Sequence, residues 1–109
     1  MKFIVDMPGI APTDDFKLFE FLKNFQLMAN RMAVSHHKYG ILEAKYPDSA
    51  HAIDSAMQRI ELYKKTGNTE HVIDAANFLM IEHLFPSHKK AHFRATSSQE
   101  SPGIKYKGE

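Results

Sequence analysis

Residues 59–84 read RIELYKKTGNTEHVIDAANFLMIEHL, and this stretch decides the fold. It predicts the end of one helix, a tight turn at Thr66-Gly67-Asn68, and a second helix. Gly67 and Asn68 tolerate the left-handed backbone that closes a helix C-terminus. Lys64 and Lys65 precede the turn, where positive charge suits the helix dipole. Asn68 or Thr69 can cap the next helix, with Glu70 in its first turn. So short a turn makes the two helices antiparallel neighbours.

The second helix carries the polar groups of interest. Glu70, Asp74 and Asn77 fall at i, i+4 and i+7, on one stripe. Val72, Ile73, Ala75, Ala76, Leu79 and Met80 flank it, so acid and amide groups sit beside an apolar surface. Burying such groups costs free energy unless they are paired or bind something. The plainer alternative is a wide solvent face with ordinary exposed polar residues.

Upstream, Tyr46-Pro47-Asp48-Ser49 reads as a stop and restart, with Asp48 or Ser49 capping a helix that begins near Ala50. Ile53, Ala56, Met57, Ile60 and Tyr63 give it an apolar face, with Asp54, Gln58, Glu61 and Lys65 alongside. Glu61 is expected to face the Glu70, Asp74, Asn77 stripe across the hairpin. Oxygen ligands from two neighbouring helices suit a hard cation such as Mg2+. The competing expectation is that Arg59 neutralises these acids in a structural salt bridge.

An earlier helix is expected from Thr13 as N-cap, with Asp14 and Asp15 in its first turn, to about Ser35. Leu18, Phe21, Leu22, Phe25, Met28, Ala29 and Met32 follow helical spacing; Phe16 and Phe19 widen the apolar face toward another element or subunit. Its far end, NRMAVSHHKYG at residues 30–40, gathers cations, a hydroxyl, an aromatic ring and a glycine. Arg31 and Lys38 bring charge and Tyr39 a ring and hydroxyl that together suit an anion. A basic helix end closed by Gly40 explains the same residues through the dipole alone.

The ends are different in kind. Phe3-Ile4-Val5 is a short apolar run followed by Pro8, Gly9 and Pro12, which reads as an extended arm or isolated strand. After Phe85-Pro86 the chain is polar, with Ser97, Ser98, Ser101, Pro102 and Gly103 clustered, an extended tail with at most a short turn. The expected division is thus a helical domain with its arm over residues 1–86 and a tail over 87–109. His88 and His92 are spaced i, i+4, but no third zinc ligand lies nearby in sequence.

At 109 residues the chain has room for one domain and a modest core. A net charge of +1 from 14 basic and 13 acidic residues gives no general argument for a nucleic-acid or membrane partner. The absence of cysteine excludes disulfides and thiolate metal sites. No apolar run reaches the roughly 18 residues of a membrane span, and a cytoplasmic location is expected. The expected fold class is all-α, a small bundle of three main helices, and their broad apolar faces imply a homo-oligomer.

KYG, then a helix with RIELY, a short turn, and a helix with IDAANFLMIE resembles, over residues 35–82, small phage proteins related to the all-α, MazG-like nucleotide pyrophosphohydrolases. The resemblance implies a helical bundle assembling as a dimer or tetramer and Mg2+-dependent hydrolysis of a nucleoside triphosphate to monophosphate and pyrophosphate. It implies host cytoplasm if the chain is phage-encoded. Glu61, Glu70, Asp74 and Asn77 would match the family's helix-borne acidic site, and Lys38 and Tyr39 the segment before it. In the hydrolase reading Glu61, Glu70 and Asp74 hold the metal and do the catalysis, while Lys38, Tyr39, Arg59 and Asn77 bind substrate. The family's E-x-x-E and E-x-x-D pairs stand here as Gln58-x-x-Glu61 and His71-x-x-Asp74, two carboxylates fewer. That loss opens the alternative of a nucleotide-binding, sequestering protein without catalysis. A third class is a helical interaction protein that only oligomerises.

Overall fold

A computed structural model describes residues 5–44, 51–101 and 103. The fold is all-α. Among the described residues three helices carry it, α1 (Phe16–Tyr39), α2 (Ala52–Thr66) and α3 (Glu70–Leu84), with one 3-10 turn at Leu42–Ala44 after α1. The expected caps Asp48 and Ser49, and the apolar residues Phe3 and Ile4, lie outside the described residues.

The α2–α3 hairpin forms as its sequence dictates. Gly67 takes φ 72°, ψ 8°, and its N–H returns to the Tyr63 carbonyl. The Thr66 hydroxyl donates to the Leu62 carbonyl at 2.8 Å and accepts from the Asn68 N–H at 3.2 Å, closing the helix end. Asn68, not Thr69, supplies the side-chain cap of α3: its Oδ1 accepts from the Glu70 N–H at 3.0 Å. The small residues Ala52 and Ala56 on α2 and Ala75 on α3 are buried, which lets the two helices approach closely.

Helix α1 starts and stops later than its sequence suggests. Asp15, not Thr13, is the cap, accepting from the N–H groups of Lys17 at 2.9 Å and Leu18 at 3.2 Å. Asp14 turns the other way and accepts from the Ala11 N–H at 2.8 Å, bracing the turn before the helix. The helix continues past Ser35 to Tyr39, because nothing between them breaks it before Gly40, at φ 89°. At 24 residues it spans about 36 Å, well beyond the 15-residue hairpin helices. It packs on α3, yet none of its residues is fully buried.

After α3, residues 86–101 contain turns but no helix or strand. Ser87 closes the end of α3, its N–H donating to Glu82 Oε2 at 2.6 Å. Among the described residues no helix is long and apolar enough to cross a membrane.

Candidate functional site

The C-terminal half of α1, the 3-10 turn, Arg59 of α2 and the outer half of α3 enclose a cleft of about 810 Å3. Its size is that of a small-molecule site. Six residues singled out from the sequence meet there: Arg31, Lys38, Tyr39, Arg59, Asp74 and Asn77. Helix α1 reaches the cleft because it runs four residues past Ser35. Without that last turn, Lys38 and Tyr39 would lie in a loop.

The stripe on α3 resolves into three environments. Asn77 is buried, 9% exposed, and its amide donates to the Met28 carbonyl on α1 at 2.9 Å. Asp74 has a side chain 16% exposed and receives two bonds from Arg31, Nε to Oδ1 at 2.9 Å and Nη2 to Oδ2 at 3.1 Å. This parallel geometry is the strong form of the guanidinium–carboxylate pair. Glu70, one turn earlier and half-exposed, lies 3.4 Å from the same guanidinium. The bond to Asp74 is the main reason that the Arg31 pKa is raised further, with the Asp74 and Glu70 charges adding to it against partial burial.

Arg31 therefore does what Arg59 was expected to do. Sequence separation hid this: Asp74 is 43 positions beyond Arg31. Arg59 instead rests over the Phe78 ring, 5.5 Å from its centroid, and donates to the neutral Gln58 Oε1 at 2.8 Å. Neither Arg59 nor Lys38 has a carboxylate partner among the described residues. Glu43, from the 3-10 turn, adds a carboxylate to the cleft wall, so three cations face two acids there.

Glu61 does not join the cleft. Its side chain is 62% exposed and pairs with Lys64 one turn on, at 3.2 Å. Glu70 sits at the Arg31 guanidinium without lining the cleft itself. Thus Glu61, Glu70 and Asp74 are not drawn together, and no group of three His, Asp or Glu side chains among the described residues is placed to share a metal ion. His71, in the register where the resembled family carries a carboxylate, is half-buried, and its Nδ1 has no hydrogen-bond partner.

Phe78, Ile81, Leu84 and Phe85 form the apolar side of the cleft. The sequence reading gave these four residues no site role, yet their helical spacing with Asp74 and Asn77 is the signal that would have found them. The site thus offers two cations without a carboxylate partner, one acid paired with Arg31, and aromatic surface in one concavity. No protein-family model, curated protein or solved structure matches the chain.

Proposed function

We propose that the cleft binds a nucleotide and does not hydrolyse it. One observation carries this: Arg31 occupies both oxygens of Asp74, while Lys38 and Arg59 face the same cleft with no carboxylate of their own. Phosphate oxygens complete what those cations lack. The rings of Tyr39 and Phe78 offer surface for a base, and Glu43 offers acceptors for sugar hydroxyls. The likeness of residues 35–82 to MazG-like proteins supports the same ligand class.

A second reading keeps the enzyme. Asp74 and Glu70 both reach one guanidinium, at 2.9 and 3.4 Å, so they are close enough to share one Mg2+ in its place. Magnesium needs only one or two carboxylates when phosphates complete its shell. Glu61 would have to swing away from Lys64 to join them.

The two readings part under chelation. Titration calorimetry with nucleoside mono- and triphosphates should show binding that survives chelator and falls at least ten-fold in Lys38→Glu, as loss of a charge-assisted bond of about 1.5–3 kcal/mol requires. Pyrophosphate release that needs Mg2+ and stops with chelator establishes the hydrolase instead. Absence of both removes the nucleotide altogether and leaves the helical interaction protein.

The exposed apolar side chains support assembly as well. Phe21, Phe25 and Leu27 on α1, and Leu79 and Met80 on α3, are large and exposed. The chain acts, in this reading, as a homo-oligomer.

A further inference from the structure

Among the described residues two acids line the cleft, and only one of them is engaged. Both oxygens of Asp74 accept from Arg31. Glu43 is exposed on the cleft wall and has no hydrogen bond or ion pair among the described residues. Lys38 and Arg59 line the same cleft, yet neither comes close enough to Glu43 to pair with it. The local backbone explains how that carboxylate arrives there. Lys38 stands in the last turn of α1, and Gly40 follows at φ 89° and ψ −159°. Nothing lies within 4 Å of where a Gly40 Cβ would be, so glycine serves the backbone angle and not a close approach. The chain leaves the helix at that residue, and the 3-10 turn Leu42–Ala44 presents Glu43 on the wall.

An ionised carboxylate accepts hydrogen bonds and donates none. It repels phosphate oxygens, so the phosphates of a bound nucleotide lie with Lys38 and Arg59 and away from Glu43. Two neighbouring donors suit its two oxygens best. The cis-diol of a ribose presents that pair, whereas a 2′-deoxyribose presents a single hydroxyl. An acid on the ribose 2′-hydroxyl is a general means of holding a nucleotide whose 2′ position carries no phosphate. The apolar side of the cleft makes no comparable demand of the base. Phe78 and Phe85 offer rings there, and Ile81 and Leu84 alkyl groups. Stacking on rings accepts any base, because every base has a π-face.

We propose that Glu43 selects the sugar. The ligand is a 5′-ribonucleotide with both ribose hydroxyls free; the 2′-deoxy form binds more weakly, and the base matters little. This rests on the nucleotide reading of the cleft and narrows it from nucleotides in general to ribonucleotides.

The test is titration calorimetry on the full chain with ATP, dATP and CTP, in chelator so that no metal-dependent hydrolysis intervenes. ATP should bind about ten-fold tighter than dATP, a factor at the low end for one hydrogen bond to a charged group, and about as tightly as CTP. Glu43→Ala should weaken ATP to the level of dATP. It should leave dATP as it was or tighter, because a charge that repels phosphate is gone. Glu43 has no hydrogen bond or ion pair to lose among the described residues, so this variant should melt like wild type. Lys38→Glu should weaken ATP and dATP together and keep their ratio. Adenosine 3′,5′-bisphosphate should bind wild type more weakly than AMP, since its 3′-phosphate meets Glu43, and Glu43→Ala should narrow that gap. ATP and dATP bound alike by wild type, or a preference that survives Glu43→Ala, overturns the proposal; the cleft reading stands as long as Lys38→Glu weakens both. A preference among bases that Glu43→Ala abolishes puts the carboxylate on the base edge and overturns it too. If neither ATP nor dATP binds, the cleft reading falls and sugar selection falls with it.

Discussion

Replacing Asp74 by alanine separates a structural acid from a metal ligand. The substitution strips Arg31 of two hydrogen bonds, at 2.9 and 3.1 Å, and leaves it Glu70 at 3.4 Å. Exposed ion pairs are worth about 0.2–1 kcal/mol, and breaking a fully buried one costs about 3–5 kcal/mol. This pair stands between, with side chains 16% and 38% exposed. The expected loss is about 2 kcal/mol. For a domain of this size that lowers Tm by roughly 8–16 °C. A double-mutant cycle with Arg31→Met, followed by urea denaturation, isolates the coupling, expected near 1.5 kcal/mol. Ligand binding should move the opposite way. Asp74→Ala frees the Arg31 guanidinium in the cleft, so a nucleotide should bind as tightly or more tightly at a temperature where the variant is folded. Coupling below about 0.5 kcal/mol, or loss of binding in a folded variant, would refute the assignment of Asp74 as the structural partner of Arg31.

The other predictions address the remaining parts of the fold. Asn77→Ala should cost about 1 kcal/mol by losing the bond to the Met28 carbonyl, and Asn77→Asp clearly more, because it sets a buried carboxylate against that oxygen; equal urea midpoints for the two would contradict this. In the tail, the Arg94 guanidinium, then the Ser97 N–H and hydroxyl contacts, hold the Glu100 pKa below its ordinary 4.5, so the charged form favours the turn. Its contribution is complete above that ordinary value and disappears as pH falls through the lowered one; the Ser97 amide resonance should shift over that acidic window, and in Glu100→Gln should not. Light scattering should show more than one chain per particle, and a monomer at high concentration would sink the assembly proposal.

Local signals were legible and distant ones were not. Gly67 and Asn68 announced the hairpin because a helix stop and a cap need only a few adjacent residues. The single stripe of Glu70, Asp74 and Asn77 was visible, but not the graded burial along it, which depends on where α1 lies across α3. Asp15 caps the helix in place of Thr13 while Asp14 accepts from the Ala11 N–H; three adjacent residues can all cap, and residue preference alone does not place the start among them. The expectation that Glu61 faces the stripe treated the hairpin as flat. Its side chain instead finds Lys64 on its own helix, a partner one turn away that needs no tertiary placement.

Helix α1 has no fully buried residue, so apolar burial alone holds it weakly to α3. What joins the two helices specifically is polar: the Asn77 amide on the Met28 carbonyl and Arg31 on Asp74. Both joints lie in or beside the cleft. A phosphate that draws on Arg31 therefore competes with the docking of α1, whereas one held by Lys38 and Arg59 does not. Such a ligand also bridges α1 to α2, two helices that otherwise meet little. Occupancy of the cleft through Lys38 and Arg59 should thus stabilise the whole fold by RT ln(1 + [L]/Kd), about 2.7 kcal/mol at a hundred-fold excess over Kd. A stabilisation that survived Lys38→Glu with Arg59→Gln would place the phosphates on Arg31 instead, at the expense of the pair with Asp74.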